Sequence, residues 1–249
     1  MFGRQMIRWI ILLAATGIFL AVIANPVWWE TAMRFFFPEE TIVIHPRASL
    51  LVLVGEHIQL VAISSGITII VGIPLGIWVT RPSGQDFLPI VTDITSFGQT
   101  FPPVAVLALA VPALGFGLVP TVVALFLYGL LPVVRNTIAG LRAVPESLLD
   151  IAYGLGMSRW QTLFRVELPL SVQVILAGVR ISVIINIGTA MIGSVIGAGG
   201  LGSPIIAGMA LTNTALIMEG AIPAAVLAIL TDQFLSNIES SFTYTPGKV

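Results

Sequence analysis

Apolar residues run through this 249-residue chain in long blocks, with neither the alternation of a half-buried strand nor the one-sided stripe of a surface helix. Six blocks are long enough to cross a hydrocarbon core, which takes about 20 helical residues. They fall near 9–28, 57–80, 87–113, 119–141, 171–196 and 214–235. Trp9, Trp28, Trp29 and Trp78 stand at the ends of the first two, where an amphipathic indole suits the headgroup layer. The pattern predicts an all-α integral membrane protein, a single domain over 1–249 with about six transmembrane helices.

Two places break the pattern of regular spans. The third block contains Gly98-Gln99-Thr100-Phe101-Pro102-Pro103. Two successive prolines lack backbone donors and clash with the preceding turn, so the helix should bend there. Irregular backbone at membrane depth survives only where protein or a water-filled cavity covers it. Gln99, Pro102 and Pro103 are therefore candidates for lining a pathway, and a kink satisfied by neighbouring helices is the alternative. After the fifth block comes Gly197-Ala198-Gly199-Gly200-Leu201-Gly202. Its spacing matches a dinucleotide fingerprint, but no strand precedes it, so it reads as a tight external turn. The apolar stretch 205–211 then dips back into the membrane or caps the pathway.

Residues 142–169 interrupt the oil between the fourth and fifth blocks. In a chain with only 9% charged residues, DIAYGLGMSRWQTLFRVELP at 150–169 carries Asp150, Arg159, Arg165 and Glu167 and should face water. Ala152, Gly154 and Gly156 sit at helical spacing, Met157-Ser158-Arg159-Trp160 changes direction, and Leu168-Pro169 closes the segment. Two short helices at an angle, with bare backbone at the corner, make a landing place for a soluble partner.

This segment resembles the cytoplasmic coupling loop of ABC importer permeases, whose pattern is Glu-Ala-Ala, three residues, Gly, nine residues, Ile, one residue, Leu-Pro. Asp150 stands for the Glu, Ile151 and Ala152 for the two Ala, Gly156 for the Gly, Val166 for the Ile, and Leu168-Pro169 for the closing pair. Ile151 departs from the pattern. SFGQTFPPVAVLALAVP at 96–112, LPVVRNT at 131–137 and IGAGGLG at 196–202 resemble the permeases of glycine betaine, carnitine and choline importers in particular. The resemblance implies the type I importer permease fold and a subunit forming the translocation pathway for osmoprotectants. It also implies a dimer of ABC ATPase subunits seated on Asp150, Ile151, Ala152, Gly154, Gly156, Met157, Ser158, Arg159, Trp160, Leu168 and Pro169. A second permease, identical or related, and an extracytoplasmic binding protein complete the implied assembly. ATP and Mg would then be bound by the partner, with no cofactor in this chain. Methionine and phosphonate permeases share parts of the pattern, which leaves the solute open; an autonomous secondary transporter is the competing class.

Composition agrees with a membrane subunit: at 57% hydrophobic residues and a mean hydropathy of +1.02, a soluble domain of this length could not enclose its apolar surface. A net charge of −1 and the lack of any basic run exclude a nucleic-acid surface. There is no cysteine, and neither His45 nor His57 has the neighbours a metal site requires. No His-Glu-x-x-His, Gly-x-Ser-x-Gly or phosphate-binding glycine loop occurs, so hydrolysis of ATP has to come from another chain. The three Tyr and five Trp do not gather inside the blocks into a cage for a quaternary ammonium, which points to a separate protein for tight binding.

Basic residues orient the chain. Arg4, Arg8, Arg81, Arg142, Arg159, Arg165 and Lys248 fall on one side and Arg34 and Arg47 on the other, which puts both termini and the 142–169 loop in the cytoplasm. A cleavable signal peptide is the rival reading of the first 25 residues, but the run continues through Pro26-Val27-Trp28-Trp29 without an Ala-x-Ala ending. Asp93, Arg135, Arg180 and Asp232 lie in the cytoplasmic halves of their blocks, where buried charge is costly. They are expected either to neutralise one another in a static cluster or to exchange partners as a gate. Glu56 and His57 are expected at the external interface.

Overall fold

The computed structural model describes residues 2–242, with side chains from residue 5 onward. Lys248 and the side chain of Arg4, both used above to orient the chain, lie outside that description. The described residues form helices and no strands: α1 (Phe2–Ala24), α2 (Pro26–Phe36), α3 (Leu50–Trp78), α4 (Leu88–Thr100), α5 (Pro103–Leu114), α6 (Leu118–Arg142), α7 (Glu146–Gly154), α8 (Arg159–Thr162), α9 (Leu168–Gly193), α10 (Gly202–Leu211) and α11 (Thr214–Ser241). Five helical stretches have the length and apolarity of a membrane span, and the bent pair α4–α5 counts as a sixth when its two halves are taken as one span.

The core is the three-helix contact of α3, α6 and α9. In the most apolar stretch of α6, 67% of residues are buried, against 17% for α1, so α6 is the central post and α1 a peripheral one. Small residues let these backbones close up, as they do where lipid supplies no hydrophobic drive between helices. A Cβ added at Gly76 of α3 would sit 2.7 Å from Cβ of Thr137, and one at Gly178 of α9 would sit 2.7 Å from the carbonyl oxygen of Pro132. A polar seam runs through the same contact: Asn186 of α9 donates to the Ser65 hydroxyl of α3 (3.1 Å), and Thr68 to the Ser64 carbonyl (2.8 Å).

The first span ends at Ala24, short of the expected 28. Asn25 accepts hydrogen bonds from the amides of Val27 and Trp28, Pro26 takes the first helical position, and a new helix starts there. This α2 buries Trp29 and Met33 against the bundle and leaves Trp28 exposed. The strap 37–49 that follows is pinned at three points. Thr214 N–H donates to Glu40 (3.0 Å), Asn213 to the carbonyl of Ile42 (2.8 Å), and His45 N–H to the fully buried Glu219 (2.7 Å).

The third block is broken at its double proline, as the sequence predicts. α4 and α5 meet at 98°. Phe101 adopts the extended conformation forced on a residue before proline, and Pro103 restarts the chain at the head of α5. The fifth block differs from the sequence expectation, because helical structure begins at Arg159 and runs without interruption to Ile196.

Candidate functional site

Each end of the bundle carries a distinctive structure. At one end lies the island formed by α7, α8 and the turn between them. α7 ends in a Schellman motif: Met157 N–H reaches the Ala152 carbonyl (3.1 Å) and Gly156 N–H the Tyr153 carbonyl (2.9 Å). Gly156 takes the left-handed position of that motif, φ +79°, which only glycine adopts freely. Ser158 then starts α8 with a capping box, donating its N–H to Gln161 (2.8 Å) and accepting from the Gln161 amide (3.3 Å). The glycine corner is thus present as expected, between the short α7 and a second helix that is the start of a 38-residue helical run rather than a short one.

The surface they offer differs from a polar island. Ile151 (59% exposed), Leu155 (74%) and Trp160 (69%) point outward, with Phe164 stacked on Trp160 at 6.0 Å. Asp150, Gly154, Gly156, Ser158 and Arg159 are exposed around them and Met157 is half-buried, while Ala152 faces inward. A Cβ at Gly154 or Gly156 would meet nothing within 4 Å.

Leu168-Pro169 does not close the segment. The residues 163–167 form one wide π-turn, with Leu168 N–H bonded to the Leu163 carbonyl, and the helix passes straight into α9. Pro169 has no N–H and its ring would clash with the carbonyl four residues back; the widened turn absorbs both problems without ending the helix. Within that turn Glu167 is 5% exposed, not water-facing, and the two terminal guanidinium nitrogens of Arg81 grip its carboxylate. These partners are 86 residues apart. No local pattern announced the pair; the one available signal was an acid standing immediately before the Leu-Pro of an otherwise apolar helix start.

The four intramembrane charges do not form a single cluster. Arg180 pairs with Asp232 (3.4 Å), as anticipated, and with Glu239 (3.2 Å), which sequence reasoning overlooked. Arg135 donates instead to the Ser96 hydroxyl of α4 (3.0 Å). Asp93 is exposed and has no ion-pair partner among the described residues. The reason is the break at Pro102: α4 packs chiefly on α6, so its acid stays away from α9 and α11. At the elbow, Gln99 donates to the Tyr128 carbonyl (2.7 Å), and Gly98 lets α4 lie against Leu127.

The opposite end is built on the glycine turn. Gly197, Gly199 and Gly200 all have positive φ, as a tight turn demands. Gly200 N–H donates to Glu56 of α3 (2.8 Å), and Ser194 to the Gly199 carbonyl (2.6 Å). The following α10 folds back beside α11. His57 is fully buried and hydrogen-bonded to the Ile187 carbonyl (3.0 Å), not at an interface. A cleft of about 590 Å³ opens here, with His45, Arg47, Glu56 and Ser203 among its lining residues. Partial burial, and then the charge of Arg47, hold the His45 imidazole below its ordinary pKa. No group of three potential metal ligands occurs among the described residues.

Residues 72–242, which span the elbow, the island and the glycine turn, match the family model described as "Binding-protein-dependent transport system inner membrane component". The osmoprotectant import permease protein OsmY of Salmonella typhimurium is 44% identical over 190 residues, 76% of this chain and 80% of that protein. The glycine betaine/carnitine/choline transport system permease protein OpuCB of Bacillus subtilis is 41% identical over 76% of this chain and 86% of its own length. Among solved structures, a chain of the MetNI methionine ABC transporter in an inward facing conformation superposes with a TM-score of 0.69 at 22% identity, covering 78% of this chain and 96% of that one. The protein belongs to the family of binding-protein-dependent transport system inner membrane components, the permeases of ABC importers. The all-α membrane architecture and the permease resemblance drawn from sequence are both borne out.

Proposed function

We propose that this chain forms the translocation pathway of an ATP-driven importer for a small osmoprotectant of the quaternary-ammonium or zwitterionic kind, the solutes named for its 41–44% identical relatives. The observation that carries the mechanism is the island. Exposed Ile151, Leu155 and Trp160 on a capped helix pair, continuous with a membrane-length helix, form an apolar contact that a soluble protein has to cover. An ABC ATPase dimer seated there would convert closure on ATP into a push along α9. With the island in the cytoplasm, as the basic residues direct, the glycine-turn end and its cleft face the extracytoplasmic binding protein.

The elbow residues Gln99, Pro102 and Pro103, with exposed Asp93 and Arg135, line the pathway against a second permease, identical or related. Charge and broken backbone at this depth require such a wall of protein or water. Arg180 with Asp232 and Glu239 is a fixed strap between α9 and α11 and not a gate. Hydrolysis and its ATP and Mg belong to the partner, and the permease itself needs no cofactor.

Two measurements test this. Purified in mild detergent, the chain should bring with it a nucleotide-hydrolysing subunit; purification alone with full uptake in vesicles would establish the autonomous transporter instead. The companion binding protein should bind glycine betaine, choline or carnitine, and selective methionine binding would overturn the solute assignment.

A further inference from the structure

Glu167 and Arg81 tie the root of the island to the turn that follows α3, 86 residues away in sequence. Glu167 is the last residue of the π-turn that carries the island into α9. Arg81 sits in the turn between α3 and α4. That turn is stiff: Arg81 N–H bonds to the Trp78 carbonyl (3.0 Å), the Arg81 carbonyl accepts from Gly84 and Gln85 (both 2.9 Å), and Trp78 stacks on Phe87 at 5.2 Å. α4 begins at the very next residue. Its far end is the 98° elbow, where Phe101 is extended and Pro102 offers no backbone donor to continue a helix.

α4 is therefore a 13-residue rod that no helical hydrogen bond ties to α5 at one end and that a two-pronged ion pair ties to the island at the other. A guanidinium–carboxylate fork fixes orientation as well as distance. With side-chain exposures of 24% and 6%, water has little access to loosen it. We propose that the Arg81–Glu167 pair transmits movement of the island to α4, so that the half-helix bearing Asp93 and Gln99 swings about Phe101-Pro102 as the island is pushed. Both are positioning residues, bonded to each other and set apart from the island's exposed tip. This deepens the importer reading above and rests on it.

The chain has no cysteine, so a single introduced one reports cleanly. Ile94→Cys on α4 (65% exposed) and, separately, Ile181→Cys on α9 (46% exposed) are spin-labelled in the complete transporter in vesicles. Label mobility is compared between the nucleotide-free and the ATP-vanadate-trapped states. In the wild-type background both labels should respond. With Glu167→Gln the Ile181 label should respond as before, whereas the Ile94 response and the solute moved per ATP should each fall at least about fivefold, the low end of ordinary coupling between sites. Exchanging the charges, Arg81→Glu with Glu167→Arg, should bring both back.

An Ile94 label that responds equally in Glu167→Gln overturns the proposal, as does one that stays silent in a wild-type transporter that is importing solute. If Glu167→Gln silences the Ile181 label too, Glu167→Asp decides: a recovered Ile94 response supports the link, and no recovery in either Glu167→Asp or the charge exchange overturns it. Absence of any ATPase companion would instead sink the importer reading, a result the purification experiment reads independently.

Discussion

Gly156 separates what the island does for folding from the docking proposed for it. Its φ of +79° means that any L-residue placed there bears about 1–2 kcal/mol of left-handed strain, whatever its size. Within the subunit there is no further cost, because a Cβ at this position meets nothing within 4 Å. Gly156→Ala and Gly156→Trp should therefore lose the same modest stability, a fraction of the roughly 5–15 kcal/mol that holds a typical domain together, and both should insert and fold. They differ only in what projects from the corner. A Trp side chain occupies about 150–250 Å² of contact, a sizeable part of the roughly 800 Å² one partner contributes to a standard interface, so it would prise the ATPase off its seat. The assay is paired: thermal unfolding in detergent, and uptake with binding-protein-stimulated ATP hydrolysis in vesicles. Equal melting temperatures are expected, with Ala retaining most uptake and Trp losing nearly all of it and no longer linking hydrolysis to the loaded binding protein. Normal transport by Gly156→Trp would refute the docking role. Equal failure of Ala and Trp would show that the backbone of the corner matters and its openness does not.

Three further outcomes are expected. Arg180→Leu strands Asp232 and Glu239 together and should cost about 1–3 kcal/mol in thermal unfolding, limited by the 40% exposure of Asp232; adding Glu239→Gln, the more buried acid, should restore more than adding Asp232→Asn, and an unchanged melting temperature in the single variant would show that the strap is idle. Gly178→Leu drives a side chain into the Pro132 carbonyl 2.7 Å away and should cost 3 kcal/mol or more, on the order of severe overpacking, whereas Gly188→Leu on the same helix meets nothing within 4 Å and should melt like the native protein. Ser158→Cys should react with an impermeant thiol reagent only from the cytoplasmic side, and labelling of intact cells from outside would reverse the orientation.

Features set by local chemistry were legible in the sequence. Pro102-Pro103 had to break a helix because two donors were missing, and Gly156 and Ser158 mark a corner because one tolerates positive φ and the other caps. Features set by distant partners were not. Nothing beside His57 distinguishes a residue at a span's edge from one sealed against α9, and Glu167 reads as water-facing until Arg81 arrives from the turn after α3. Pro169 misled for a different reason: proline forbids one hydrogen bond, but a helix can widen for a turn and continue. The pairing of Arg180 was half-readable, since charge balance demanded acids in the same half of the bundle, yet only the bend of α4 determines that Glu239 and not Asp93 completes it.

The strap 37–49 has a consequence for how such chains could be rebuilt. Its attachment to Glu219 uses the amide of His45 and not the imidazole, so the anchoring acid recognises a backbone and is blind to the side chain it holds. Asn213 likewise takes a carbonyl, that of Ile42. At these two points the strap is held without regard to its side chains, save that a proline at position 45 would remove the donor, whereas Glu40 and the buried Trp29, Met33 and Val43 hold the unit ahead of α3 through theirs. A transplanted leading segment could therefore vary at 42 and 45, provided it keeps an acid at 40 and apolar residues at 29, 33 and 43 and Glu219 and Asn213 travel with the body.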